Sequence, residues 1–135
     1  PQLADRLRGV ACLGPNLWND ARLTRGLGET NAQVYFADVF DAGSNEPAVR
    51  SFVAGYGRAY NEEPGYLAAQ GYDDALIVMQ AAELGASGGE QMIRALAGTK
   101  GFEGVTGRTS LTASGEASKA LQVFTVQAGR VTALP

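Results

Sequence analysis

Residues 47–84 read PAVRSFVAGYGRAYNEEPGYLAAQGYDDALIVMQAAEL. In the first half, Val49, Phe52, Val53, Tyr56 and Tyr60 fall on one stripe of a 3.6-residue period, which predicts an amphipathic helix over 47–60 with Ser44 or Asn45 as its cap. The NEEPG segment interrupts it. Beyond the break, Tyr66, Ala69, Tyr72, Leu76, Met79 and Ala82 have apolar neighbours nearly all round, as expected of a helix over 66–84 that is covered on several sides. Ser87 to Glu90, SGGE, has capping-box spacing and opens a shorter third helix over 88–97.

On either side of these helices the pattern changes to strand. Upstream, GVACLG (9–14) is a brief apolar run closed by turn residues, which predicts a parallel-type strand over 9–13 buried on both faces. NDARLTRGLG then offers Asn19 or Asp20 as a cap and Leu23 and Leu27 four apart, the pattern of a short helix. AQVYFADVF supplies a second strand over 32–38, ended by DAGSNEP. Downstream, GVTGRTSL predicts a strand over 106–111. ALQVFTV and VTAL, joined by a reverse turn at Ala128–Gly129, predict a hairpin over 121–132. The order of elements is that of an α/β protein. The chain opens on Pro1 and a helix-like piece, PQLADRLRG, which suggests a processed or trimmed segment of something longer.

Composition narrows the chemistry. A chain of 135 residues, 45% hydrophobic, suits one compact domain. Eleven basic residues against 14 acidic ones, with no cluster of either, leave no electrostatic footprint for nucleic acid or an anionic membrane. No apolar run approaches the ~18 residues of a membrane span. The absence of histidine removes the commonest general base and most zinc sites, and a single cysteine removes thiolate cages. Cys12, inside an apolar run, reads as a small buried hydrophobe. Asp73 and Asp74 are adjacent, so on a helix their carboxylates diverge by about 100° and cannot form a dyad; they read as solvent-facing or cap-like acids. Gly26 and Gly28 do not continue into a dinucleotide fingerprint. The glycines at 101, 104 and 107 read as loop and strand-start residues rather than a phosphate cradle. These readings exclude a catalytic site, a metal and a cofactor.

What remains is CLGPNLWND, Cys12 to Asp20, where the chain places its only tryptophan just past a strand. In open α/β sheets, ligands lie beyond the carboxyl ends of strands. Trp18 then reads either as an apolar wall of a cleft or as a plug beneath the following helix. Asn16 reads either as a hydrogen-bonding group at the rim or as a turn residue or cap.

The segment order, together with FVAGYGRAYNEEPGYLAAQGYDDALIVMQAA and FEGVTGRTSLTASGEASKALQVFTVQAGR, resembles the C-terminal portion of the type I periplasmic binding proteins, the extracellular ligand-binding receptors related to leucine/isoleucine/valine-binding protein. The likeness spans nearly the whole chain. The NLWN form is similar to a branch of penicillin-binding protein activators, envelope lipoproteins. The resemblance implies Rossmann-like three-layer lobes woven from separate chain segments and closing about a hinge, with residues 1–135 contributing to both lobes of a longer chain. It implies a non-catalytic receptor of an ABC-transporter type, located in the periplasm or cell envelope. Such a receptor binds a small polar metabolite or amino acid between Asn16, Leu17 and Trp18 on one side and Tyr66 and Leu67 on the other. The partner implied is a permease or, in the activator branch, a cell-wall synthase with no small-molecule ligand. A lone fragment with uncovered edges is expected to pair with a second copy. Where the family's amino-acid binders place an acidic side chain on the ligand's amino group, this chain carries Asn16, and a neutral amide does not balance an ammonium in a closed cleft.

Overall fold

In the strand Gln33–Asp38, Val34, Phe36 and Asp38 alternate with more accessible residues, so one face of the strand is buried and the other is not. The computed structural model describes residues 7, 9–20, 26, 33–127 and 130–134. Its elements are β1 (Ala11–Gly14), a 3-10 turn (Asn16–Trp18), β2 (Gln33–Asp38), α1 (Pro47–Tyr60), α2 (Tyr66–Glu83), α3 (Gly89–Ala97), β3 (Phe102–Gly104), β4 (Gly107–Leu111), β5 (Ala117–Lys119), β6 (Gln122–Gln127) and β7 (Arg130–Ala133).

Two packed bodies result. The first is a four-stranded sheet in the order β1-β2-β6-β7, with β1 parallel to β2 and the other pairs antiparallel. Phe36 lies opposite Phe124, and their rings stack with centroids 5.5 Å apart over the buried face. The terminal hairpin has Gln127 opposite Arg130; residues 128 and 129, where the reverse turn is expected, lie outside the described set. The parallel pairing of β1 is as expected, but its burial on both faces is not. Among the described residues β1 pairs only with β2, Leu13 is 80% exposed and Cys12 is half-buried, so neither face of the strand is closed. The short helix read after Asn19 and the helix-like piece at 1–9 lie largely outside the described residues.

The second body consists of α1, α2 and α3 with the antiparallel sheet β3-β4-β5. Its core is Phe40, Val49, Phe52, Ala69 and Val105, with Val53, Tyr56 and Tyr66 packed against it. α1 has the expected bounds, but Glu46 occupies the cap position and Pro47 begins the helix. Pro47 needs no capped N–H and presets the helical φ, so Ser44 Oγ instead accepts from Glu46 N (3.2 Å) in the turn before it. Asn61 ends α1 in the left-handed region, φ 55°, its N–H reaching the Gly57 carbonyl. At α3, Gly88 takes the cap position, and Gln91 Oε1, not Glu90, accepts from Ser87 N and Oγ, both at 3.1 Å. Glu90 pairs with Arg94 one turn on (3.3 Å) at the surface. Strands β3 and β5 have three residues each, too short for a period-2 pattern, and the sequence reading missed both.

α2 departs most from expectation. Its buried residues are Ala69, Asp73, Ile77 and Ala81, a single i, i+4 line, while Leu67, Val78 and Met79 are exposed. The helix is therefore covered on one face, not several. That line includes Asp73, which the sequence reading placed in solvent with Asp74; Asp74 is exposed, but Asp73 is fully buried. A buried carboxylate persists only when its oxygens are satisfied. Here Oδ1 accepts from Val105 N (2.8 Å) and Oδ2 from Thr106 N (2.9 Å) and Thr106 Oγ1 (2.5 Å). Lys119 Nζ lies 3.9 Å from Oδ2 and also donates to Thr106 Oγ1. Gly104 leaves the space: a β-carbon there would stand 2.3 Å from Oδ2.

Asp73→Ala leaves two buried backbone N–H groups without acceptors and is expected to cost about 3 kcal/mol of folding stability. Asp73→Asn, which keeps one acceptor oxygen, is expected to cost less, and Gly104→Ala to destabilise by collision with the carboxylate. Urea denaturation of the three variants gives the ranking.

Candidate functional site

β1 and β2 run parallel, so their carboxyl ends, Gly14 and Asp38, lie on the same side of the sheet. Past Gly14 the chain turns at once. Pro15 is extended (φ −77°, ψ 174°), and the next three residues close a 3-10 turn through Trp18 N→Pro15 O (3.0 Å) and Asn19 N→Asn16 O (2.8 Å). The turn lies against β2. Glycine at 14 is required because the Trp18 ring lies over it: a β-carbon there would stand 2.2 Å from the ring. Trp18 is accordingly half-buried, Asn16 is half-buried and Leu17 is 66% exposed. The ring is fixed from below by the strand end and open on another side.

Of the remaining expected site residues, Tyr66 and Leu67 open α2. Tyr66 is half-buried against the core that contains Phe40, whereas Leu67 is 69% exposed. The cap position before them, Gly65, contributes no side-chain hydrogen bond. The 3-10 turn and the start of α2 are linked through Phe40, which enters the helical core two residues after β2 ends and whose carbonyl accepts from Asn19 Nδ2 at 3.2 Å.

Two residues that the sequence pattern does not mark as site residues lie here: Asn19, which reads only as a helix cap, and Asp38. Asn19 Nδ2 also donates to Asp38 Oδ2 at 2.6 Å, and Val39 N donates to Oδ1 at 2.7 Å. The signal was present in β2: after Val34 and Phe36, the third inward position of an alternating strand is a carboxylic acid. Burial pushes the Asp38 carboxyl above its ordinary value of 3.8. The Asn19 amide and the backbone N–H groups of Val39 and Phe40 act in the opposite direction.

Among the described residues, two of the concavities lie on the helical body. One, of 390 Å³, is bounded by Ile77, Leu84, Gly98, Lys100 and Phe102. The other, of 380 Å³, lies between α1 and α2 beside Phe52, Tyr56, Tyr60 and Tyr72. Neither is lined by Asn16, Leu17, Trp18, Tyr66 or Leu67. Among the described residues no group of three or more acids or cysteines is placed to hold a metal ion, and no helix is long and apolar enough to cross a membrane.

The chain matches the family model described as periplasmic binding protein over residues 6–130. Among solved structures, it is similar to the branched-chain amino acid transporter substrate-binding protein of Streptococcus pneumoniae, solved in complex with isoleucine: 32% identity, TM-score 0.76, covering 90% of this chain and 35% of that one. It is also similar to a putative branched-chain amino acid ABC transporter from Rhodospirillum rubrum: 28% identity, TM-score 0.81, covering 98% and 39%. A leucine-binding protein of Thermotoga maritima shares the fold at 24% identity and TM-score 0.80, covering 99% and 39%. The chain thus spans 35–39% of the length of these structures. No curated protein sequence matches it.

Raised affinity for a proton in the folded state has a definite sign. Between 3.8 and the raised value, folded Asp38 holds a proton that the unfolded chain has lost, so its contribution makes stability fall as pH rises through that window. Asn19→Ala removes a hydrogen bond that favours the ionised form and is expected to move the midpoint higher still. Carbon-13 NMR titration of the Asp38 carboxyl in both proteins reads the two midpoints.

Proposed function

Because the chain belongs to the periplasmic binding protein family, we propose that it is part of a non-catalytic solute-binding receptor, which captures a small polar metabolite or amino acid and presents it to an ABC-type permease outside the cytoplasm. Residues 1–135 would then contribute to both lobes of that receptor, the four-stranded sheet to one and the helical body to the other. In this reading Asn16, Leu17 and Trp18 form one wall of the cleft, and Tyr66 and Leu67 lie across it.

The observation that carries the reading is the 3-10 turn at the paired carboxyl ends of β1 and β2. It holds an exposed leucine and a half-buried tryptophan at a strand end, at the position where α/β sheets bind ligands. Trp18 contributes apolar contact area and an indole N–H, and Asn16 both donates and accepts. The relatives that carry leucine or isoleucine in their descriptions make branched-chain amino acids the first ligands to test. The neutral Asn16 points equally to small carboxylic acids without an amine, since such a ligand brings no ammonium for the amide to balance.

Trp18 is the only tryptophan, so its emission reports on this wall alone. Titration with leucine, isoleucine, other amino acids and small aromatic and aliphatic acids is expected to shift or quench that emission saturably for one class. Trp18→Ala is expected to weaken binding about tenfold or more, measured calorimetrically. Its expected cost in stability is only roughly 1 kcal/mol, because the ring is half-buried. A large loss of stability with binding intact would assign the tryptophan to packing alone.

A further inference from the structure

The two bodies have separate cores. Val34, Phe36 and Phe124 are buried in the sheet body, whereas the helical cluster of Phe40, Val49, Phe52, Ala69 and Val105 contains none of them. Within the described residues the chain passes between the bodies twice. It leaves the sheet after Asp38 and enters the helical core at Phe40, and it returns from β5 to β6 through Ala120 and Leu121. These crossings are neighbours, because Asp38, the last residue of β2, lies opposite Gln122, the first of β6. Two adjacent strands crossing between two independently packed bodies form a line about which the bodies can turn.

The crossings are held differently. Ala120 and Leu121 are exposed and lie outside the strand pairings, and Leu121 is 66% exposed. On the helical side this crossing is anchored just before Ala120, where Lys119 reaches the buried Asp73 and Thr106. The other crossing is spanned by one side chain. The Asn19 amide donates to Asp38 Oδ2 at the end of the sheet and to the carbonyl of Phe40 in the helical core, so its two N–H bonds straddle Val39. The backbone of Asn19 is in turn fixed to the turn that carries Asn16 and Trp18, through Asn19 N→Asn16 O.

We propose that Asn19 is a latch: its amide sets the angle between the two bodies at the Val39 crossing and ties that angle to the position of the Asn16–Trp18 turn. A displacement of the turn moves the Asn19 amide, which must then release either Asp38 or Phe40, and the freed crossing bends with Ala120–Leu121. A side chain bonded to both sides of a crossing opposes relative motion most directly, since any rotation about Val39 lengthens at least one of its two hydrogen bonds. The link to ligand capture rests on the proposed function; the mechanical role of Asn19 does not.

The test measures the angle without ligand. Spin labels are placed on exposed Gln127 in the sheet body and exposed Gln91 in the helical body, in a Cys12→Ser background of the full chain, and the distance distribution is read by double electron–electron resonance. A pair at Arg50 and Gln91, both in the helical body, serves as control. Asn19→Ala is expected to broaden or shift the Gln127–Gln91 distribution and leave the Arg50–Gln91 distribution unchanged. Asn19→Ser keeps one short donor and cannot reach both partners; it is expected to do the same, and supplies the reading if the alanine variant fails to fold. An unchanged Gln127–Gln91 distribution in a folded variant, or equal broadening of the control pair, overturns the latch. Failure of every ligand to alter Trp18 emission would overturn the receptor reading and leave this measurement intact.

Discussion

A carboxylate taken out of water must be surrounded by donors, and at Asp73 that requirement organises the helical body. The acid lies on the only buried line of α2, and the donors that satisfy it are the backbone of the β3–β4 turn, the Thr106 hydroxyl and, at longer range, Lys119 at the end of β5. One side chain thereby fixes the position of a helix against the β3–β4 turn and the end of β5, in a sheet whose two outer strands have only three residues each. The close approach is possible because position 104 is glycine. The apolar core of Phe40, Phe52, Ala69 and Val105 supplies the bulk driving force, and the buried acid supplies the register.

The sheet body follows a different logic. Its pairing of parallel β1–β2 with an antiparallel return of β6 and β7 places both the start and the end of the described chain in one sheet, with the helical body inserted between them in sequence. Insertion of this kind requires the chain to leave the sheet and come back. The departures are side by side at Asp38 and Gln122, at the same end of the sheet as the Trp18 turn. The site and the crossing are therefore neighbours by topology. The second buried acid, Asp38, is located at their junction, where its hydrogen-bond partner Asn19 belongs to the site loop.

Exposed apolar residues occur on the helices, the loops and the sheet alike. Leu67, Val78, Met79 and Ile93 on α2 and α3, and Leu13 on β1, face outward, in a chain that spans 39% or less of the structures it resembles. The two buried acids, by contrast, have their partners within the described residues.

How much of this could be read in advance depended on the range of the interaction. The helices expected at 47–60, 66–84 and 88–97, the strands near 32–38 and 106–111 and the terminal hairpin were readable to within a residue or so because periodicity, capping and turn chemistry are local: each signal lies within a few residues of the element it defines. The lack of histidine and of paired cysteines bounded the chemistry for the same reason, since it needs no knowledge of neighbours. The position of Trp18 just past a strand was likewise visible. The fold alone decided that Asp73 is buried and Asp74 is not, that neither face of β1 is closed, that the Trp18 ring covers Gly14, and that Asn19 bridges Asp38 and Phe40. Val105 is 32 residues from Asp73 and Asp38 is 19 from Asn19. Adjacent acids of identical type differ only in which face of α2 they occupy, and what that face meets is set by residues the local pattern does not contain.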